Sequence, residues 1–342
     1  MKKYMKGYMT RTMIKLKYKT TALLLMAAIL LVACSDDLDN GNGNEITFVT
    51  NVSSIPTGKA ATFDSNTDLQ TEGSFNCFAY SAETTDPYYD ATEVTWVSAE
   101  NKWKFANSFV HYWPGISHLD FFAYMPTTKP AYISSITYTT ARHPQFVCTG
   151  LPTTIVGQTA LKEFVCAMAI NKNQENSVPS GVSMQFKHPF AILKFKLDPA
   201  SSSGVTINWV RIEADDDEGH GIKTGGTCTI DGTSSTWSSQ AAKDVFTWSS
   251  LTGDTYIEAK ADESPYLVIP NDYSATKMRI SVNATWASSI SSKTETKTAT
   301  VQNVEKDGNK LMHWEAGYSY LFTLKLTDQL DVNTAKYTVE QW

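Results

Sequence analysis

The chain has 342 residues with 29 basic and 35 acidic side chains, a formal net charge of −6. Seven of the basic residues lie within residues 1–19 and every acid lies after residue 34, so the remainder carries 22 basic against 35 acidic residues, a formal charge of −13. That balance argues against nucleic acid, whose binding rests on basic patches, and against adsorption on anionic lipid.

The first residues read as an address. Lys2, Lys3, Lys6, Arg11, Lys15, Lys17 and Lys19 precede an almost wholly apolar run over 21–33. That run falls short of the roughly 20 residues that span a bilayer as a helix. Charge, a short apolar core and then small residues is the layout of a secretory signal. Leu31-Val32-Ala33-Cys34 resembles the lipobox of bacterial lipoproteins, in which the cysteine sulfur takes up a diacylglycerol and becomes the new N-terminus. Cys34 is therefore the expected lipidation site, and 1–33 the signal peptide. Stable anchoring takes more than one acyl chain, which a diacylated, N-acylated cysteine supplies. Ser35-Asp36-Asp37 resembles the acidic export signal of surface lipoproteins in Bacteroidetes-type bacteria. Residues 34–44, nearly free of apolar side chains, read as a flexible tether.

From residue 45 onward the chain is strand-like. Residues 45–52, "EITFVTNV", form one isolated strand with Ile46, Phe48 and Val52 on a common face. Leu193, Phe195 and Leu197 alternate with Lys194 and Lys196, and Met278 to Trp286 and Tyr318 to Leu326 alternate in the same way. Period-two alternation puts one face in a core and the other in water. Turn signals such as Trp113-Pro114-Gly115, Asp231-Gly232 and Asp307-Gly308 separate the runs, as in antiparallel sandwiches. "TALKEFVCAMAI", residues 159–170, fits a short helix or a buried strand equally well. Length suggests two domains. Pro and Ser cluster in "DPASSSG", residues 198–204, which sets the expected domains at 45–198 and 199–342.

Few constellations carry chemistry. "EADDDEGHG", residues 213–221, could offer oxygen ligands to Ca²⁺, but its order does not fit an EF-hand loop. A solvated loop is the simpler reading, and no metal or cofactor is expected. His111, His118, His143 and His188 lack the helical pairing of a zinc site, and each reads as structural. Cys77, Cys148, Cys166 and Cys228 match no zinc spacing, and three pairings are open to them; small buried hydrophobes is the simpler reading. There is no nucleophile elbow and no phosphate loop, so no enzyme is expected. Trp96, Trp103 and Trp113 are closely spaced and could stack on sugars, or they could be core.

Several separated stretches point one way. "WKFANSFVHYWPGISHLDFFAYMP" at 103–126, "VSMQFKHPFAILKFKL" at 182–197, "YLVIP" at 266–270 and "HWEAGYSYLFTLKL" at 313–326 resemble, in order, the signature blocks of the fimbrillin family of Bacteroides-type bacteria. The resemblance implies an all-β chain of two tandem transthyretin-like β-sandwich domains. It also implies a structural or adhesive subunit of a type V pilus, exported as an outer-membrane lipoprotein to the cell surface. Its partners would be other fimbrial subunits, joined by β-strand complementation, and a host or bacterial surface ligand. In such pili a protease removes the first strand and a segment of another subunit fills the groove. The family usually cuts after an arginine. Here the arginines beyond residue 34 are Arg142, Arg211 and Arg279, all too far downstream, whereas Lys59 in "SIPTGKAATF" stands where the cut would fall. Lys59–Ala60 is thus the candidate bond. Residues 335–342, "AKYTVEQW", alternate with Tyr337 and Val339 on one face and are the candidate donor strand. The alternative reading is a surface glycan-binding lipoprotein that uses the three tryptophans.

Overall fold

Wherever apolar and polar residues alternate, the backbone runs as strand. The structure, a computed structural model, describes residues 45–52, 63, 65–106, 110–115, 117–139, 142–153, 162–197, 201, 204–216, 219–232, 234–240, 243–244, 246–249, 266–273, 277–287, 292–301, 305–306, 309–310, 312–327, 330–331 and 339–341. In chain order the strands of the first part are β1 (Phe48–Val52), β2 (Ser74–Ser81), β3 (Pro87–Val97), β4 (Lys102–Phe105), β5 (Leu119–Met125), β6 (Ile133–Tyr138), β7 (Pro144–Thr149), β8 (Val165–Lys172), β9 (Val182–Lys187) and β10 (Ala191–Leu197). Then come β11 (Val205–Asp216), β12 (Gly219–His220), β13 (Ile222–Lys223), β14 (Gly225–Asp231), β15 (Ser234–Ser238), β16 (Lys243–Asp244), β17 (Phe246–Ser249), β18 (Tyr266–Val268) and β19 (Asn271–Asp272). The last are β20 (Lys277–Ala287), β21 (Ser292–Val301), β22 (Glu305–Lys306), β23 (Asn309–Lys310), β24 (His313–Trp314), β25 (Tyr318–Leu326), β26 (Leu330–Asp331) and β27 (Val339–Gln341). Helix α1 (Asn66–Glu72) is capped by the Ser65 hydroxyl, which accepts from the Asp68 N–H. Among the described residues one further helix occurs, α2 (Gln174–Ser177).

The chain is all-β. Strands β1-β4-β3-β2-β5-β8-β9 close on themselves as a barrel around Phe48, Phe75, Trp103, Phe121 and Phe186. The later sheets β18-β10-β25-β26 and β12-β11-β20-β21 share a second core of Leu193, Val210, Ile212, Ile280, Val282 and Phe322. Here the alternation resolves as expected: Met278, Ile280, Val282 and Ala284 are buried, as are Tyr320, Phe322, Leu324 and Leu326. The ambiguous stretch at 159–170 ends in β8, a strand buried on both faces, with residues 159–161 outside the described set.

A third core joins the two. Sheet β15-β14-β7-β6 pairs β7 with β14 antiparallel, Cys148 opposite Gly226 and Phe146 opposite Cys228. Its apolar residues meet Phe122, Tyr124, Phe164, Phe190 and Ile192. The arrangement explains "LDFFAYM" in β5, where every residue is buried. Leu119, Phe121 and Ala123 face the barrel interior, and Phe122 and Tyr124 face the third core. A strand buried on both faces loses its alternation of polarity.

The same geometry shifts the division expected at 198/199. Strand β10 pairs parallel with β25 and antiparallel with β18, so it belongs to the later sheets. Ile192 faces the third core and Leu193 the second. The chain passes between sheets at His188-Pro189-Phe190. The Ser-rich stretch near 201 is only the link from β10 to β11. Residues 46–342 cluster as one compact unit.

Two polar clusters pin the layers. Asp120 on β5 is 1% exposed. Its carboxylate accepts Nε and a terminal nitrogen of Arg142, each at 2.6 Å, the Tyr138 hydroxyl at 2.8 Å and the Asn171 N–H at 2.7 Å. Burial opposes the charge, but these donors outweigh it and hold the carboxyl below its usual range. At the passage between sheets, His188 Nδ1 and Glu163 Oε1 meet at 2.6 Å, both side chains buried. The four cysteines are free and buried. Burial pushes the Cys77 and Cys166 thiols up to about 12 and Cys148 up to about 11. Thiols so placed are small apolar side chains and poor nucleophiles.

Candidate functional site: the seam closed by the first strand

Strand β1 is the segment that closes the barrel. It runs parallel to β9 over five residues, Phe48 opposite Val182 through Val52 opposite Phe186. On its other side it meets β4 at one antiparallel pair, Phe48 opposite Trp103. Two further backbone bonds hold its approach: Ile46 N–H donates to His111 O at 2.9 Å, and Val182 N–H donates to Thr47 O at 2.8 Å. Gly181 adopts φ +90°, and a Cβ there would come within 3.0 Å of Thr47 O. Glycine is what lets β1 enter alongside β9.

The side chains do more than the backbone. Ile46 and Phe48 have no exposed surface and Val52 is 3% exposed. Thr50, which continues that face, is half-buried, and Val49 and Asn51 point outward. The Phe48 ring meets Phe75, Phe105 and Phe121 edge to face at centroid distances of 5.8, 5.5 and 5.7 Å. Burying each side chain of this size contributes roughly 1.5–3 kcal/mol, so the three together hold β1 by several kcal/mol. A groove without β1 would present an apolar slot and unpaired edges on β4 and β9.

At the other end, β27 lies on β25 as a short antiparallel strand, Val339 opposite Tyr320 and Gln341 opposite Tyr318. Three paired residues make this a light attachment. Tyr337 lies outside the described residues, as do Cys34, Lys59 and Ala60. Lys59 and Ala60 fall in the link between β1 and α1, so hydrolysis there would separate β1 from the rest of the fold without cutting any other strand.

The other sequence candidates take structural places. Trp103 is 1% and Trp113 6% exposed, packed against Phe75 and Phe121. Trp96 leans on Trp103 at 5.3 Å. The three do not form an exposed row, because β3 and β4 turn them toward the barrel. The acidic stretch at 213–216 belongs to β11, where Glu213 pairs with Arg211 and Arg279. Among the described residues no group of three His, Cys, Asp or Glu is placed to hold a metal. His111 stacks on Tyr89 at 4.4 Å, and burial lowers its pKa. His118 meets Glu83 at 3.3 Å. The residues that receive β1, namely Phe75, Phe105, Phe121, Val182 and Phe186, carried no signal in the sequence. Each is an ordinary apolar strand residue until the parallel pairing with β9 brings it to the seam.

The chain is similar to several known proteins. It resembles a solved candidate cell adhesion protein of Bacteroides ovatus at 14% identity, covering 87% of this chain and 97% of that one, with a TM-score of 0.47. It resembles another from Bacteroides eggerthii at 11% identity, covering 89% and 98%, with a TM-score of 0.43. A third, from Parabacteroides distasonis, is 12% identical over 87% and 96%, with a TM-score of 0.40. No curated protein is similar enough to count as a match. The model of the fimbrillin-like family matches residues 58–342, and the chain belongs to that family.

Proposed function

We propose that this protein is a structural and adhesive subunit of a cell-surface fimbria, exported as a lipoprotein acylated at Cys34 and assembled by strand exchange. Hydrolysis of Lys59–Ala60 frees β1, and the C-terminal segment of another copy, with Tyr337 and Val339 inward, enters the seam between β4 and β9. The observation that carries this reading is the form of β1's attachment. It is a short piece that fills a core with Ile46, Phe48 and Val52 yet is joined to the fold by a link outside every other strand. Any strand of matching alternation recovers the same burial and backbone bonds. Membership of the fimbrillin-like family supports the reading, and the matched region, 58–342, starts after β1.

Other edges are less suited. Strand β21 is at the end of its sheet and is blunted by Lys293 and Lys297. Charged edges of this kind resist pairing. The rival reading, a glycan-binding lipoprotein built on Trp96, Trp103 and Trp113, loses its basis because Trp103 and Trp113 are core.

Electron microscopy of cells with the chain, without it and with Cys34→Ala tests the proposal. Fibres labelled by an antibody to this chain are expected only in the first. Unchanged labelled fibres with Cys34→Ala would refute the lipoprotein route, and the absence of label on any fibre would refute the subunit role.

A further inference from the structure

Far from β1 in the fold's strand order, a cavity of about 620 Å³ opens where the third core meets the later sheets. Its walls come from the β9–β10 passage, β15, the Pro270–Asp272 turn and the stretch from His313 to Tyr318. That volume lies in the range of small-ligand sites.

The lining combines flat aromatic and planar polar groups. Trp237 is fixed in place: its indole N–H donates to Pro189 O at 2.8 Å, and its ring contacts Phe146 and Phe190 at 5.5 and 5.2 Å. It is only partly buried, so part of the ring remains open to the cavity it lines. Tyr318, also partly buried, adds a second aromatic wall. Trp314 is 1% exposed, and its indole Nε1 is buried with no hydrogen-bond partner. Such a buried donor is costly unless something accepts from it. Asp272 and Glu315 stand half-exposed on either side of His313, their carboxylate oxygens 3.8 and 3.9 Å from its two ring nitrogens. Gln240 spends its amide N–H on Pro270 O at 2.9 Å, which leaves its carbonyl oxygen as an acceptor.

We propose that this cavity is a binding site for a short neutral oligosaccharide. A pyranose has an apolar C–H face and a rim of hydroxyls. The C–H face suits the electron-rich face of Trp237. The rim donates to Asp272, Glu315 and Gln240, and one ring or hydroxyl oxygen accepts from Trp314 Nε1. Two carboxylates against the single lysine of the lining, Lys187, disfavour an anionic ligand. A rigid aromatic plate costs little to order, which favours binding.

The test is the purified full chain on an array of neutral and acidic oligosaccharides, followed by titration calorimetry with the neutral glycan bound best. Binding in the ~10 µM to ~1 mM range is expected, with Asp272→Asn and Glu315→Gln each weakening it about tenfold, one hydrogen bond's worth. Both carboxylates are half-exposed, so these variants should fold normally. Trp237→Leu should abolish binding, with circular dichroism as the control for folding. No bound glycan, preference for acidic glycans, or affinity unchanged in both carboxylate variants would overturn the assignment. So would competition by an extended peptide, which would make the cavity a subunit contact. Fibre formation is a separate readout: the carboxylate variants should still form fibres, so loss of glycan binding and loss of assembly can be told apart.

Discussion

Phe48→Ala should lower the unfolding free energy by about 3–5 kcal/mol, the cost of deleting a fully buried phenylalanine without collapse of the site. Three aromatic rings surround it edge to face, and none can fill the space without breaking its other contacts. Against a total stability of about 5–15 kcal/mol, this is a large share. Denaturant unfolding checks it as a lower midpoint with an unchanged slope. The variant also bears on assembly, because a weakly held β1 leaves the seam sooner. Size-exclusion chromatography should then show multimers before any cleavage. A loss below about 1 kcal/mol would mean that β1 contributes little to the barrel, and the exchange account would lose its energetic basis.

Asp120→Ala should cost about 3 kcal/mol, near the low end for breaking a buried charge pair. The low end applies because Arg142, with 36% of its side chain exposed, can recover water when its partner is gone. Tyr138 and the Asn171 N–H lose their acceptor as well. The loss should depend on pH with a definite sign. The folded carboxyl sits below its usual value. Its contribution is therefore fully present above the unfolded value of about 3.9 and disappears as pH falls through the folded one. Stability curves of the parent and Asp120→Asn should converge below about pH 4. Parallel curves down to the acid limit would show that the carboxylate charge is not what holds β5 to the β6–β7 hairpin.

The sequence shows strand type well and pairing poorly. Met278–Trp286 and Tyr318–Leu326 alternate because each has one face in the second core and the other outside it. Strands β5 and β8 lose that signal because a third core covers their outer face. The division expected at 198 follows a Ser-rich link, whereas the change of sheet occurs at His188-Pro189-Phe190, three residues rich in packing value and poor in turn signals. Trp96, Trp103 and Trp113 suggest a sugar platform in sequence because spacing says nothing about which way a strand faces. The aromatic plate with exposed surface is Trp237, brought to its neighbours by the pairing of β14 with β7, which no local pattern announces. The apolar face of 45–52 is legible; its parallel partner β9, distant in the chain, is not.

The most direct measurement is the N-terminus of the chain in fibres sheared from the cell surface, read by mass spectrometry. The account predicts a start at Ala60, with the first strand gone from assembled subunits. A start at acylated Cys34 in every assembled copy would contradict it.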